Sequence, residues 1–89
     1  VREVTVTIVN RLGLHARAAG KFVNLAKTFS SDVTLTRGSE AVDGKSIMNV
    51  MLLAAPVGTE IGLRVEGDDE DDATESLVAL INDRFGEED

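Results

Sequence analysis

Apolar and polar positions alternate at the start of the chain. Val4, Val6 and Ile8 share one face, and Thr5 and Thr7 the other. This two-residue period predicts a half-buried strand. NRLG (10–13) breaks the pattern as a turn. From Ala16 to about Thr28 the period lengthens, with Ala19, Phe22, Val23 and Ala26 at i, i+3, i+4 and i+7. That is one apolar stripe along a helix. Gly20 lies off the stripe and weakens the helix by about 1 kcal/mol relative to alanine, which points to a smooth surface or the close approach of a partner. DVTLTR (32–37) alternates again, with Val33 and Leu35 inward. Gly38 and Ser39 suit a tight turn into a short strand, EAV (40–42), making a hairpin.

Ser46 is a favourable N-cap for a short helix reaching about Leu53, and Pro56 and Gly58 end it. Ile47, Val50, Met51 and Ala54 can form its buried stripe, which leaves Met48 and Leu52 on another face beside Asn49. A helix apolar most of the way round is either fully buried or carries a docking patch. EIGLRVEG (60–67) is a fourth strand, with Ile61, Leu63 and Val65 inward. Asp68 or Asp69 can cap the last helix. The acids of DDEDD (68–72) favour the macrodipole in its first turn and read as a solvated helix start rather than a metal site. Thr74, Leu77, Val78, Ile81 and Phe85 form its predicted buried stripe, and the closing GEED is expected to fray. The order β-α-β-β-α-β-α predicts an α+β fold: one mostly antiparallel sheet with helices packed on one face.

Length and composition narrow the chemistry. The 89 residues suit one domain, 1–89, with a modest core. With no cysteine and one histidine, disulfides, thiolate chemistry and a transition-metal site are not expected. No apolar run approaches the roughly 18 residues of a membrane span, so the expectation is a cytoplasmic protein with no membrane insertion. A net charge of −7 argues against nucleic acid as a partner. The distribution adds more. Residues 4–31 contain no acid, yet include Arg11, Arg17, Lys21 and Lys27. An acidic protein thus keeps a basic island around its one histidine, and such an island attracts anions and acidic partner surfaces.

His15 falls at the predicted start of the first helix, where backbone N–H groups lack helical partners and the positive end of the macrodipole points. A neutral imidazole there offers a nucleophilic nitrogen. A phosphoryl group on it meets unpaired N–H groups and Arg17, a ready anion site. Phosphoryl transfer needs mainly positioning and charge stabilisation, within reach of a small scaffold. Gly44-Lys45-Ser46 ends like a P-loop, but the first glycine of that motif must fall at position 39, which is Ser39. The P-loop is therefore rejected, and Ser46 is read as a cap that also tolerates a phosphate. From the residues alone three readings stand: a phosphoryl acceptor, a ligand-binding module with His15 as a structural cap, and an interaction domain docking through Met48 and Leu52.

The combination resembles the HPr family, the histidine phosphocarriers of the bacterial phosphoenolpyruvate-dependent phosphotransferase system. GLHARAA around His15, GKSIMNVMLLAA around Ser46 and the order of elements across nearly the whole chain carry the resemblance. Gly13, Leu14, His15, Arg17 and Ala19 match the family's active-site pattern, and Ala18 stands where proline is usual. NRLGLHAR and LVALINDRFGEED resemble the nitrogen-related branch, NPr, more than the sugar-transport branch. The resemblance implies an open-faced β-sandwich of four antiparallel strands and three helices. It implies a cofactor-free monomeric carrier, not an enzyme: His15 Nδ1 takes a phosphoryl group from enzyme I and passes it to a histidine of an enzyme IIA protein. Arg17 and the backbone N–H groups of Ala16 and Arg17 support the phosphate. Ser46 matches a regulatory serine modified by HPr kinase/phosphorylase. Ala16, Gly20, Asn24 and Lys27, with Ile47, Met48, Met51 and Leu52, match a docking face shared by enzyme I and enzyme IIA. Alanine at 18 implies a first turn without proline's stiffening.

Overall fold

A computed structural model describes residues 1–88; Asp89 lies outside the described residues. The strands are β1 (Arg2–Thr7), β2 (Asp32–Arg37), β3 (Glu40–Asp43) and β4 (Glu60–Glu66). The helices are α1 (Ala16–Ala26), α2 (Ile47–Leu52) and α3 (Glu70–Asn82), followed by a short 3-10 turn at Arg84–Gly86. The sheet runs β1-β4-β2-β3, and all three pairings are antiparallel. The helices cover one face, as the element order predicts for an open-faced sandwich.

Alternation sets the sheet's two faces. Val6, Val33, Leu35, Ile61, Leu63 and Val65 are buried in the core. They meet Ala19, Phe22, Val23 and Ala26 of α1, and Leu77 and Ile81 of α3. The expected β1 extends too far by one inward residue. Ile8 is fully buried but leaves the ladder, its amide donating to Thr59 O and its carbonyl accepting from Gly58 N. Helix α1 ends at Ala26, and Thr28 lies in the turn beyond it. The Gly38-Ser39 turn joins β2 and β3 with Arg37 opposite Glu40, Gly38 taking a left-handed φ of +60°.

Three expectations are corrected. In α2, Val50 is buried, but Ile47, Met51 and Ala54 are exposed, so the proposed stripe is not buried. The helix is only 6 residues long and makes its core contact through Val50 and, just past its end, Leu53. Arg37 secures that end, its guanidinium donating to Leu53 O (2.8 Å) and Ala54 O (2.9 Å). Phe85 is buried, but not on the α3 stripe. The helix stops at Asn82, and Arg84 and Phe85 take φ of +58° and +54°, turning the ring back into the core.

The third correction concerns Asp69. It occupies the N-cap position of α3 but makes no cap bond there. Its carboxylate instead accepts from the Ser31 hydroxyl (2.5 Å) and from the Ser30 and Ser31 amides (2.9 and 3.0 Å), tying the α1–β2 turn to the start of α3. These bonds, the Ser31 hydroxyl's first and the Ser30 amide's next, hold the Asp69 carboxyl down to about 2. A depressed folded-state pKa favours the folded protein fully above the unfolded value of about 3.9. That advantage disappears as the pH falls through about 2. Denaturant titrations should therefore show wild type losing stability more steeply than Asp69→Asn between about pH 4 and pH 2. Parallel curves for the two proteins would mean that the clamp contributes nothing.

Candidate functional site

The loop from β1 to α1 is fixed by close backbone packing. Gly13 has φ of +71°, and a Cβ there would lie 2.6 Å from Ala55 O and 2.9 Å from Pro56 Cα. Only glycine allows the loop to lie this close to the chain following α2. Leu14 N donates to Ala55 O (2.9 Å) and His15 N to Gly13 O (2.9 Å). Buried Asn10 donates from Nδ2 to Gly13 O (2.7 Å).

That loop delivers His15 as the N-cap of α1 in extended conformation. The Arg17 amide donates to His15 Nδ1 over 3.3 Å, a long bond, and Ala19 N closes the first turn onto His15 O at 2.8 Å. Ala18 is fully buried beneath this turn. Its amide is among the first four of the helix, which have no carbonyl one turn earlier to accept from them. Alanine in place of proline therefore restores no helical hydrogen bond.

The far side of the imidazole holds a partner not foreseen in the sequence. Glu87 accepts from His15 Nε2 (2.5 Å) and from Asn10 Nδ2 (3.0 Å). The Glu87 side chain is 12% exposed and that of His15 28%. In the predicted frayed tail GEED, Glu87 is held, while Asp89 lies outside the described residues. Lys21 Nζ donates to Phe85 O (2.7 Å), and Phe85 anchors the segment in the core. Burial works to raise the Glu87 carboxyl, but hydrogen bonds from Asn10 and His15, with the charges of the His15 ring when protonated and of Arg17, bring it below the ordinary value. An ionised carboxylate only accepts, so Nε2 carries the ring hydrogen. Nδ1, accepting from Arg17 N, then holds the lone pair. These contacts favour one neutral tautomer, with the lone pair of Nδ1 facing the N-terminus of α1.

Arg11, Arg17 and Lys21 border this side chain, lining a shallow depression of about 320 Å³ with Glu87 and Glu88. A larger depression of about 540 Å³ lies on the open sheet face among Asp32, Asp43, Lys45, Arg64 and Glu66. It mixes both signs of charge and contains none of the histidine's neighbours. Among the described residues, no three His, Asp or Glu side chains are gathered as metal ligands would be. No helix of the described residues is long and apolar enough to cross a membrane.

Ser46 caps α2, its hydroxyl accepting from Asn49 N at 3.4 Å. Helices α1 and α2 pack side by side. On α2, Ile47, Met48, Met51 and Leu52 are 41, 79, 42 and 68% exposed, a large apolar surface for so short a helix. On α1, Ala16 and Asn24 are exposed and Gly20 half-buried, and Lys27, the residue that caps its C-terminus, is exposed. A Cβ at Gly20 would meet nothing within 4 Å, so no internal crowding calls for glycine there. Asn10 and Glu87 were missed by sequence reasoning: a buried asparagine in NRLG looks like a turn residue, and an acid in an acidic segment carries no signal.

A family model described as "PTS HPr component phosphorylation site" matches residues 2–83. A phosphocarrier protein HPr of Pseudomonas aeruginosa is 55% identical over 83 residues, covering 92% of each chain. One from Cupriavidus necator is 52% identical over 81 residues, covering 91% of each. The crystal structure of HPr-C-His from Thermoanaerobacter tengcongensis superposes with a TM-score of 0.95 at 45% identity, covering 99% of both chains. With a histidine presented at a helix start, the matching fold and these relatives, the chain belongs to the HPr family of phosphocarriers of the phosphotransferase system.

Proposed function

We propose that His15 Nδ1 accepts a phosphoryl group from phosphorylated enzyme I and hands it to a histidine of an enzyme IIA protein, in sugar uptake or in nitrogen and metabolic regulation. The observation that carries this reading is the pair of contacts on the His15 ring, Glu87 at Nε2 and the Arg17 amide at Nδ1. Nδ1 keeps its lone pair at the N-terminus of α1, where the amides of Ala16 and Arg17 and the Arg17 guanidinium can receive phosphoryl oxygens. The long Arg17 N–H bond to Nδ1 is easily exchanged for one to a phosphoryl oxygen, so the donor that holds the nitrogen in waiting serves the product afterwards. Purified protein mixed with enzyme I and phosphoenolpyruvate should gain one acid-labile, base-stable phosphoryl group by intact-mass measurement. No gain would overturn the reading.

Partners dock on the face made by Ala16, Gly20, Asn24 and Lys27 of α1 and Ile47, Met48, Met51 and Leu52 of α2. The exposure of the α2 side chains beside the basic island supports this. Ser46, a half-buried cap at the edge of that surface, is the target of an HPr kinase/phosphorylase. Phosphate there adds roughly −1.5 to −2 charge, repelling acidic partners drawn to the island. Ser46→Asp should bind enzyme I about tenfold more weakly at low salt, with the difference shrinking as salt rises. Equal affinities at low salt would remove the electrostatic mechanism.

A further inference from the structure

We propose that Glu87 is a positioning residue for phosphoryl transfer, fixing the tautomer of His15 and balancing the charge that forms on its ring. The inference rests on the carrier reading above. Two contacts define the geometry: the Glu87 carboxylate accepts from Nε2–H at 2.5 Å, and Arg17 N–H points at Nδ1 from the other side. The carboxylate is itself held. Its second oxygen accepts from Asn10, which also binds Gly13 O in the loop that presents the histidine. Phe85 in the core and Lys21 on α1 pin the backbone two residues earlier.

Transfer makes use of this hold. The Nδ1 lone pair forms the bond to phosphorus as the phosphorus–nitrogen bond of the donor phosphohistidine breaks, and that electron pair returns to the donor ring. The accepting ring keeps its Nε2 hydrogen and therefore gains positive charge. The Glu87 carboxylate already faces that hydrogen and stabilises the charge without rearranging. A carboxylate that orients a histidine and stabilises its cationic form is an established catalytic device; Glu87 is partly buried in that position. In the absence of Glu87 the hydrogen can move to Nδ1, which removes the nucleophile. With Nε2 occupied, the phosphoryl group is directed to Nδ1 alone.

The test uses the full chain with Glu87→Ala and Glu87→Gln, their folds checked by amide NMR spectra. Nitrogen-15 NMR of the imidazole at about pH 8.5, above the ordinary histidine range, reads the tautomer without any phosphotransfer. Wild type should show one dominant form hydrogenated at Nε2, and Glu87→Ala a mixture. Glu87→Gln, whose amide oxygen still accepts, should restore the dominant form. Initial rates of phosphorylation by phosphorylated enzyme I should fall about tenfold in both variants, as loss of one charge-assisted hydrogen bond implies. An unchanged tautomer in Glu87→Ala overturns the proposal, and so does an unchanged rate in that variant. If wild type accepts no phosphoryl group while Glu87→Ala still shifts the tautomer, the carrier reading fails and the kinetic role falls with it; the hold on the ring stands.

Discussion

Replacing His15 with alanine is expected to abolish phosphorylation by enzyme I while leaving the protein folded. The chain contains no second histidine and no cysteine, so no other imidazole or thiolate is available at the site. The loss should be complete rather than partial. The structural cost is small. His15 caps α1 through one long bond of 3.3 Å, and removing an N-cap costs about 0.5–2 kcal/mol, with so long a bond at the low end. An 89-residue domain has a stability of roughly 4–13 kcal/mol on a per-residue basis, which absorbs that loss. Arg17→Ala gives the contrasting result. On the proposed reading it keeps the nucleophile and removes a charge that stabilises the transferring group, so transfer should slow by about a hundredfold without disappearing. Intact-mass time courses separate the two. Residual acid-labile labelling of His15→Ala would show that the acceptor has been misassigned.

The second large effect is expected in the core. Phe22 is 1% exposed on the inner face of α1, packed with residues of the sheet and of α3. Phe22→Ala should cost about 3–5 kcal/mol, combining lost transfer energy with the cavity left behind. For a domain of this size that is a large share of the total. The melting temperature should fall by about 15 °C or more. Met48→Ala is the control. That side chain is 79% exposed, so its removal should change stability by no more than about 0.5 kcal/mol while weakening binding to enzyme I. Thermal melts and binding titrations of both variants separate core from docking surface. A Met48→Ala protein that melts far below wild type would place Met48 in the core and remove it from the docking face.

The two results divide the molecule by how its parts are specified. The strands were legible because a period of two needs only local sequence: Val33, Leu35, Ile61, Leu63 and Val65 face inward as their alternation requires. The α1 stripe was legible for the same reason at a period of 3.6. Helix α2 was not. Its apolar residues outnumber what one turn and a half can bury, and periodicity cannot tell which of them the rest of the fold has room for. Val50 and Leu53 are taken into the core, while Ile47 and Met51 stay out. Asp69 shows the same limit for polar groups. Its position at the head of α3 was correctly anticipated, but its hydrogen bonds go to Ser30 and Ser31, 39 and 38 residues away in sequence.

At the candidate site, the sequence by itself determined the local parts: the histidine at the start of α1, the arginine two residues on, the serine capping α2 and the acid-free stretch of chain around the histidine, which the fold then closes with Glu87. These follow from short-range pattern and from which residue types can do a given chemistry. Only the tertiary structure decided which nitrogen of His15 bears its hydrogen. That depends on Glu87, 72 residues away, and Glu87 arrives there because Phe85 turns out of the helical path into the core. Local sequence encodes dihedral preference and amphipathic period. A contact between distant segments depends on how the whole core closes, and no local pattern records it.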